Sequence, residues 1–330
     1  MFRRFGVIGA GAWGSALAQT IAGAGHDVVL WAREPEVVDE INTRHTNTPF
    51  LPDIPLDHRI LATNDLALVA AQEAIVMVAP AQHVRAIGGA LAQYMRAGVP
   101  VIICSKGIEQ ATGTLMGDVL AEALPGATIA ALSGPSFATE IARGLPAALT
   151  LACADEGFGR RLVESLSTRR FRLYWSQDLV GVELGGAVKN VLAIAAGIVD
   201  GKALGASAHA AVVTRGFAEL RRFGEALGAR TETMMGLSGL GDLLLTCGSP
   251  QSRNMSLGRA LGQGAALADV LGARRSVSEG VYTAAAVVGI ATAKGIEMPI
   301  AAAVHGIVCG RLTVDDAIDD LMSRPLKPEN

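Results

Sequence analysis

The sequence predicts an α/β domain on a mostly parallel sheet over residues 1–177, followed by an all-helical domain over 178–330. Three observations carry this prediction. Short β-rich runs alternate with helical stretches through the first half, which implies right-handed crossover units. After Trp175 no convincing strand remains, and Ala- and Leu-rich segments take over. The 330 residues, half of them hydrophobic and 18% charged, give length for two domains and ample apolar material for a buried core.

In chain order, the expected strands are 5–9, 27–32, 74–79, 99–105, 127–132, 147–152 and 171–175. Helical apolar spacing falls between several of them, as over 15–24 and 114–123. Near-continuous apolar runs such as Val101-Ile102-Ile103-Cys104 fit a sheet covered on both faces. In the second half, helices are expected over 182–199, 208–227, 280–294 and 300–309, punctuated by glycine clusters and by Pro250 and Pro299. The polar tail after Met322 carries Pro325 and Pro328.

Composition excludes several classes of function. The charge sum of 28 Lys and Arg against 31 Asp and Glu leaves −3, and no block of like charge is long enough for a sequence-independent grip on nucleic acid. The four cysteines are widely spaced and the six histidines show no ligand spacing, so neither a disulfide scaffold nor a metal site is expected. Charges, Pro and Gly interrupt the apolar runs before ~18 residues, so no spanning helix is expected. Met1-Phe2-Arg3-Arg4 is followed by a strand and a glycine loop instead of the apolar core of a signal peptide. The expectation is a cytoplasmic protein.

The glycine loop is Gly9-Ala10-Gly11-Ala12-Trp13-Gly14, placed after a strand and before a helix. In that context G-x-G-x-x-G is the fingerprint of a Rossmann-type dinucleotide site. Gly9 permits the tight turn, Gly11 lets a pyrophosphate approach the backbone, and Gly14 lets the helix pack on the strand. The second strand ends Trp31-Ala32-Arg33, where an NAD enzyme usually places a carboxylate for the ribose. A guanidinium there suits a 2′-phosphate, which favours NADP, with NAD possible; Glu34 beside it would repel that phosphate if it pointed inward.

A lysine, Lys189, sits in the apolar helix 182–199, with Gly185, Gly186, Leu192 and Ala193 one turn away and no carboxylate on its face. Two glycines in a helix interior cost about 1 kcal/mol each relative to alanine, which close approach of a ligand or another backbone would offset. A lysine partly removed from water has a lowered pKa and suits proton exchange with an alcohol or carbonyl; a snorkelling side chain is the alternative. Ser105-Lys106-Gly107 and Ser133-Gly134-Pro135-Ser136 end strands, the edge where open α/β sheets bind ligands. Ser252-Arg253-Asn254 precedes a helical run and can offer a guanidinium, an amide and a helix N-terminus to a phosphate, although turn and cap roles explain such residues too. Gly239-Leu240-Gly241-Asp242 puts a carboxylate in a tight turn, within reach of a lysine ammonium or a substrate hydroxyl.

Taken in order, GAGAWGSALA (9–18), SKGIE (105–109), SGPSFATEIA (133–142), VELGGAVKNVLAIAAGI (182–198), TRGFAE (214–219), GLGDLLLTC (239–247), SRN (252–254) and VSEGV (277–281) closely resemble the bacterial NAD(P)-dependent glycerol-3-phosphate dehydrogenase family. The resemblance implies reversible reduction of dihydroxyacetone phosphate to sn-glycerol 3-phosphate, for glycerophospholipid synthesis. It implies Lys189 as proton donor and acceptor. Lys106, Gly134, Ser136, Asp242, Ser252, Arg253 and Asn254 would surround the substrate. Ala12, Trp13, Arg33, Lys106, Ala138, Arg253, Val277 and Glu279 would contact the dinucleotide, and a homodimer is expected. Many members carry a second basic residue where this chain has Glu34. The rival readings are another two-domain reductase with a helical-domain lysine, acting on a carboxylate substrate, and a non-catalytic NADP sensor.

Overall fold

The computed structural model describes residues 1–272 and 278–326. One eight-stranded sheet runs β3-β2-β1-β4-β5-β6-β7-β8, with β1 Arg4–Ile8, β2 Asp27–Trp31, β3 Ile60–Thr63, β4 Ala74–Met77, β5 Pro100–Ile103, β6 Thr128–Ser133, β7 Ala147–Cys153 and β8 Phe171–Ser176. All neighbours pair in parallel except β6 with β7. The expected α/β sheet followed by helices is what the chain forms. The sequence reading lacked β3, a four-residue strand with only β2 as neighbour. β4 and β5 are equally short but are buried throughout and lie in longer apolar runs; at the sheet edge, β3 leaves Leu61 exposed and becomes a strand through its partner.

Both faces of the sheet are covered. In β5, Ile102 points into one core with Val7, Leu30 and Val76. Val101 and Ile103 point into the other, with Ile8, Ile75 and Met77. This alternation of side chains across a doubly covered sheet is why its strands read as unbroken apolar runs. From β1 the chain winds outward to β2 and β3, then returns to β4 and winds the other way. The crevice beyond the carboxyl ends of β1 and β4 is therefore the topological switch point, where such sheets bind ligands.

Beyond β8 the described chain is helical, and its hub is Leu179–Gly201, almost wholly buried. The Asp178 side chain caps this helix by accepting a hydrogen bond from the Gly181 N–H at 2.8 Å. The expected helices form, with slightly displaced ends, as Leu179–Gly201, Ala206–Ala226, Glu279–Lys294 and Pro299–Val308. Helix Arg253–Gly262 lies backbone to backbone on the hub. A Cβ on Gly197 would fall 2.0 Å from the Met255 carbonyl oxygen, and one on Gly258 2.0 Å from that of Ile194. Glycine at both surfaces permits this approach and fixes where Arg253 and Asn254 stand.

By length and composition the hub could cross a membrane, although Glu183 and Lys189 interrupt its apolar run. Its apolar window is 94% buried inside the protein. The four cysteines are free thiols, with Cys104, Cys153 and Cys247 buried and Cys309 exposed.

Candidate active site

The glycine loop opens at the carboxyl end of β1. Gly9 takes φ +111°, a region that favours glycine. Gly11 is the N-cap of helix Ala12–Gly23, and nothing lies within 4 Å of where its Cβ would stand. At Gly14 a Cβ would meet the Gly9 carbonyl oxygen at 1.8 Å, so the helix packs closer to the loop than any side chain allows. Ala12 and Trp13 form the first turn, and the Trp13 Nε1–H is a buried donor without a partner among the described residues. Helix Ala138–Ala142, headed by Ala138, packs alongside. The open approach at Gly11, the free helix N-terminus and the unsatisfied indole together fit the pyrophosphate side of a dinucleotide.

Arg33, past the end of β2, is exposed, and the strand it follows is tied to the glycine loop by the Gly9 N–H, which donates to the Trp31 carbonyl at 3.0 Å. Its guanidinium is engaged by Glu34, with Nη2 at 2.7 Å and Nε at 3.1 Å from Oε1.

The reacting end is assembled from four segments. Lys106 follows β5, Gly134 and Ser136 follow β6, Lys189 projects from the hub helix, and Asp242 begins helix Asp242–Gly248. Asp242 is fully buried and bridges the two lysines: Lys106 Nζ donates to Oδ2 at 2.7 Å, and Lys189 Nζ donates to Oδ1. Lys189 also donates to Thr246 Oγ1 at 2.9 Å. The Gly134 carbonyl accepts from Lys106 at 3.4 Å and from the Ser136 hydroxyl at 3.1 Å. Lys189 is only 6% exposed, which removes the snorkelling alternative. Burial pulls its ammonium down to about 7; Asp242 opposes that shift and Lys106 reinforces it.

The carboxylate does not sit in the expected tight turn. Leu237–Gly241 forms a turn of π-helix that runs directly into helix Asp242–Gly248. Packing against the hub drives this. A Cβ on Gly185 would lie 2.4 Å from the Ser238 carbonyl oxygen, so glycine on the hub lets this turn press close enough for Asp242 to reach Lys189. That contact is one compensation for helix-interior glycines; a Cβ on Gly186 would meet Ser133 Oγ at 2.8 Å.

Ser252 caps helix Arg253–Gly262 through its hydroxyl, which accepts from the Met255 N–H at 3.2 Å. Arg253 is exposed at the first helical position, and its charge acts on Glu279. Asn254 is buried, donating to Asn190 Oδ1 at 2.9 Å and accepting from the Gly280 N–H at 3.1 Å. Glu279 accepts from the Ala81 N–H at 3.0 Å through Oε1, whereas its buried Oε2 has no partner among the described residues; burial raises its pKa. Val277 lies outside the described residues.

Sequence reasoning missed Thr246 and Asn190. Thr246 is four residues from Asp242 and so on the same helix face. Asn190 follows Lys189 and ties the loops together, donating to the Lys106 carbonyl at 3.1 Å and to that of Gly186 at 3.3 Å. The helical spacing from Asp242 was a usable signal for the first; nothing local distinguished the second.

Fold and site together define a dinucleotide-dependent dehydrogenase, an oxidoreductase. Residues 4–159 match the family model for the NAD-dependent glycerol-3-phosphate dehydrogenase N-terminus, and residues 178–319 match that for its C-terminus. A glycerol-3-phosphate dehydrogenase (NAD(P)+) of Parvibaculum lavamentivorans is 60% identical over 99% of this chain and 98% of its own. One of Caulobacter vibrioides is 60% identical over 99% of each chain. The crystal structure of glycerol-3-phosphate dehydrogenase from Coxiella burnetii superposes with a TM-score of 0.94 at 38% identity, covering 98% of this chain and 99% of that one. The chain belongs to the NAD-dependent glycerol-3-phosphate dehydrogenase family.

Proposed function

We propose that the protein catalyses the reversible reduction of dihydroxyacetone phosphate to sn-glycerol 3-phosphate, supplying glycerophospholipid synthesis, with Lys189 as the proton donor and acceptor. Family membership supports the substrate. The observation that carries the chemistry is the buried Lys106–Asp242–Lys189 bridge at the sheet's ligand-binding edge.

The bound dinucleotide supplies or accepts the hydride. As the carbonyl oxygen gains negative charge, the Lys189 ammonium stabilises it and passes it a proton; in the reverse direction the neutral amine takes the proton from the alcohol. A pKa of about 7 keeps both forms accessible near neutrality. Asp242 and Thr246 fix Nζ. The bridge sets two ammonium groups against one carboxylate, leaving a positive field where the oxyanion forms. Ser252, Arg253 and Asn254 hold the substrate phosphate at a distance from the reaction, so binding there sets orientation. Gly134 and Ser136 complete the substrate's surroundings.

In this reading Gly9, Gly11, Ala12, Trp13, Gly14, Arg33, Lys106, Ala138, Arg253, Val277 and Glu279 contact the dinucleotide. NADP is favoured over NAD, supported by Arg33 and by the lack of a carboxylate at the tip of β2. The chain divides at 177/178 into a nucleotide-binding and a substrate-binding domain, supported by the Asp178 cap and by the two family-model spans. It acts as a cytoplasmic homodimer, as two-fold assembly is the commonest for such enzymes.

The test is nicotinamide absorbance with dihydroxyacetone phosphate and NADH or NADPH in parallel. Lys189→Ala should keep NADPH binding and lose about 10²–10⁴ in turnover. Near-normal turnover in that variant would remove the assignment. Arg253→Ala should raise the substrate KM strongly, and a change confined to cofactor affinity would end its phosphate role.

A further inference from the structure

The glycine loop is held from its buried side by a residue distant in sequence. Asn47, a few residues past helix Pro35–Arg44, is fully buried. Its Nδ2 donates to the Ala10 carbonyl at 2.8 Å and to Ser15 Oγ at 2.8 Å, and the Ser15 hydroxyl donates to the same carbonyl at 3.3 Å. A carbonyl only accepts, so the Asn47 amide must turn its NH2 end toward Ala10. Oδ1 is thereby left buried without a partner among the described residues. An unpaired buried acceptor is destabilising. Packing alone does not explain it, because an aliphatic side chain of the same size would fill the space without that penalty.

The backbone around Asn47 is fixed without help from its side chain. Glu40 Oε1 accepts from Thr46 Oγ1 at 2.8 Å and from the Thr48 N–H at 2.9 Å, one residue to either side. The Asn47 carbonyl accepts from the Leu51 N–H at 2.7 Å. The side chain is therefore directed at the glycine loop and not at its own.

The Ala10–Gly11 peptide is trans, and in a planar trans peptide the C=O and N–H point in opposite directions. Two buried donors on the Ala10 carbonyl thus turn the Gly11 N–H the other way, toward the exposed side of Gly11. We infer that Asn47 is a positioning residue for the dinucleotide: by holding the Ala10 carbonyl it aims the Gly11 N–H at the pyrophosphate. The inference rests on the assignment of the glycine loop to the dinucleotide. An amide already aimed needs no ordering when the ligand arrives, which favours binding. The pyrophosphate is common to NADPH and NADH, so Asn47 acts on both alike.

The experiment is calorimetric titration of the full chain with NADPH and with NADH. Asn47→Leu keeps about the same volume and removes both donated bonds. Both Kd values should rise about tenfold, with their ratio within about twofold of wild type. At saturating nucleotide, kcat and the KM for dihydroxyacetone phosphate should hold within about twofold, since the reacting groups are untouched. Combination with Gly11→Ala separates positioning from general support. The added methyl already keeps the pyrophosphate from the amide that Asn47 aims, so the double variant should bind within about twofold of Gly11→Ala alone. A side chain that only supported the domain would multiply its loss onto that of Gly11→Ala. Ser15→Ala removes the second donor to the carbonyl and should raise both Kd values about threefold; it decides the matter if Asn47→Leu fails to fold. Unchanged Kd values in the folded variant, a shifted NADPH-to-NADH ratio, or independent losses in the double variant overturn the role. Wild-type affinity in Gly11→Ala would instead overturn the dinucleotide assignment beneath it.

Discussion

Asp242 and Lys189 meet as a buried ion pair although 53 residues separate them in sequence. Each comes from its own helix, and a second lysine, Lys106, closes on the other carboxylate oxygen. The carboxylate stabilises the charged form of Lys189 against a burial that favours the neutral amine.

Asp242→Asn should therefore lower the Lys189 pKa below about 7 and move the reduction profile toward acid. In the proposed mechanism reduction needs the ammonium, so activity at neutral pH should fall by about 10²-fold or more. Two buried cations would lose their counter-charge, and stability should drop by about 3–5 kcal/mol. The pH dependence of kcat and a denaturant titration check both. An unmoved pH profile would show that Asp242 does not govern the lysine.

The glycine loop separates a folding role from a binding role. Gly11→Ala adds a methyl where nothing lies within 4 Å, so the Tm should hold while the Kd for NADPH rises about tenfold or more. Gly14→Ala places a carbon 1.8 Å from the Gly9 carbonyl oxygen and should cost about 1–3 kcal/mol of stability. Calorimetry with and without NADPH distinguishes the two. Equal loss of Tm in both variants would contradict the division.

Cofactor choice should turn on the Arg33–Glu34 contact of 2.7 Å. Glu34→Ala should free the guanidinium and raise the NADPH-to-NADH ratio of kcat/KM by about threefold or more, whereas Arg33→Ala should lower it. The pair is exposed, so neither change should move the Tm appreciably. A ratio unaffected by both would place the 2′-phosphate elsewhere.

Stability should depend on pH through Glu219. It is buried beneath helix Pro299–Val308 and accepts from the N–H groups of Ile300 at 2.8 Å and Ala301 at 3.2 Å. Burial raises its carboxyl from 4.5 to about 7 despite those donors. A folded-state pKa above the unfolded one gives stability that is full below about 4.5 and lost as pH rises through about 7. Thermal unfolding should show the Tm falling across that window. Glu219→Gln should flatten the slope, and an unchanged slope would assign it to other groups.

Much of this was legible in the sequence because the signals were local. The glycine loop announced itself by spacing and flanks, and apolar runs marked both the doubly covered strands and the long helices, since periodicity is a property of neighbouring residues. β3 escaped because its apolar run is short and partly exposed at the sheet edge, unlike the fully buried β4 and β5 of the same length. The π-helical turn before Asp242 escaped because packing against Gly185 imposes it. Lys189 was conspicuous as the one lysine in an apolar helix, with no carboxylate on its face, but that isolation said nothing about what opposed it. Tertiary structure alone decided that Asp242 bridges Lys189 to Lys106 and that Thr246 and Asn190 join them. Those contacts cross from one segment to another, and burial, which lowers the pKa of Lys189, exists only once the helices have closed on the edge of the sheet.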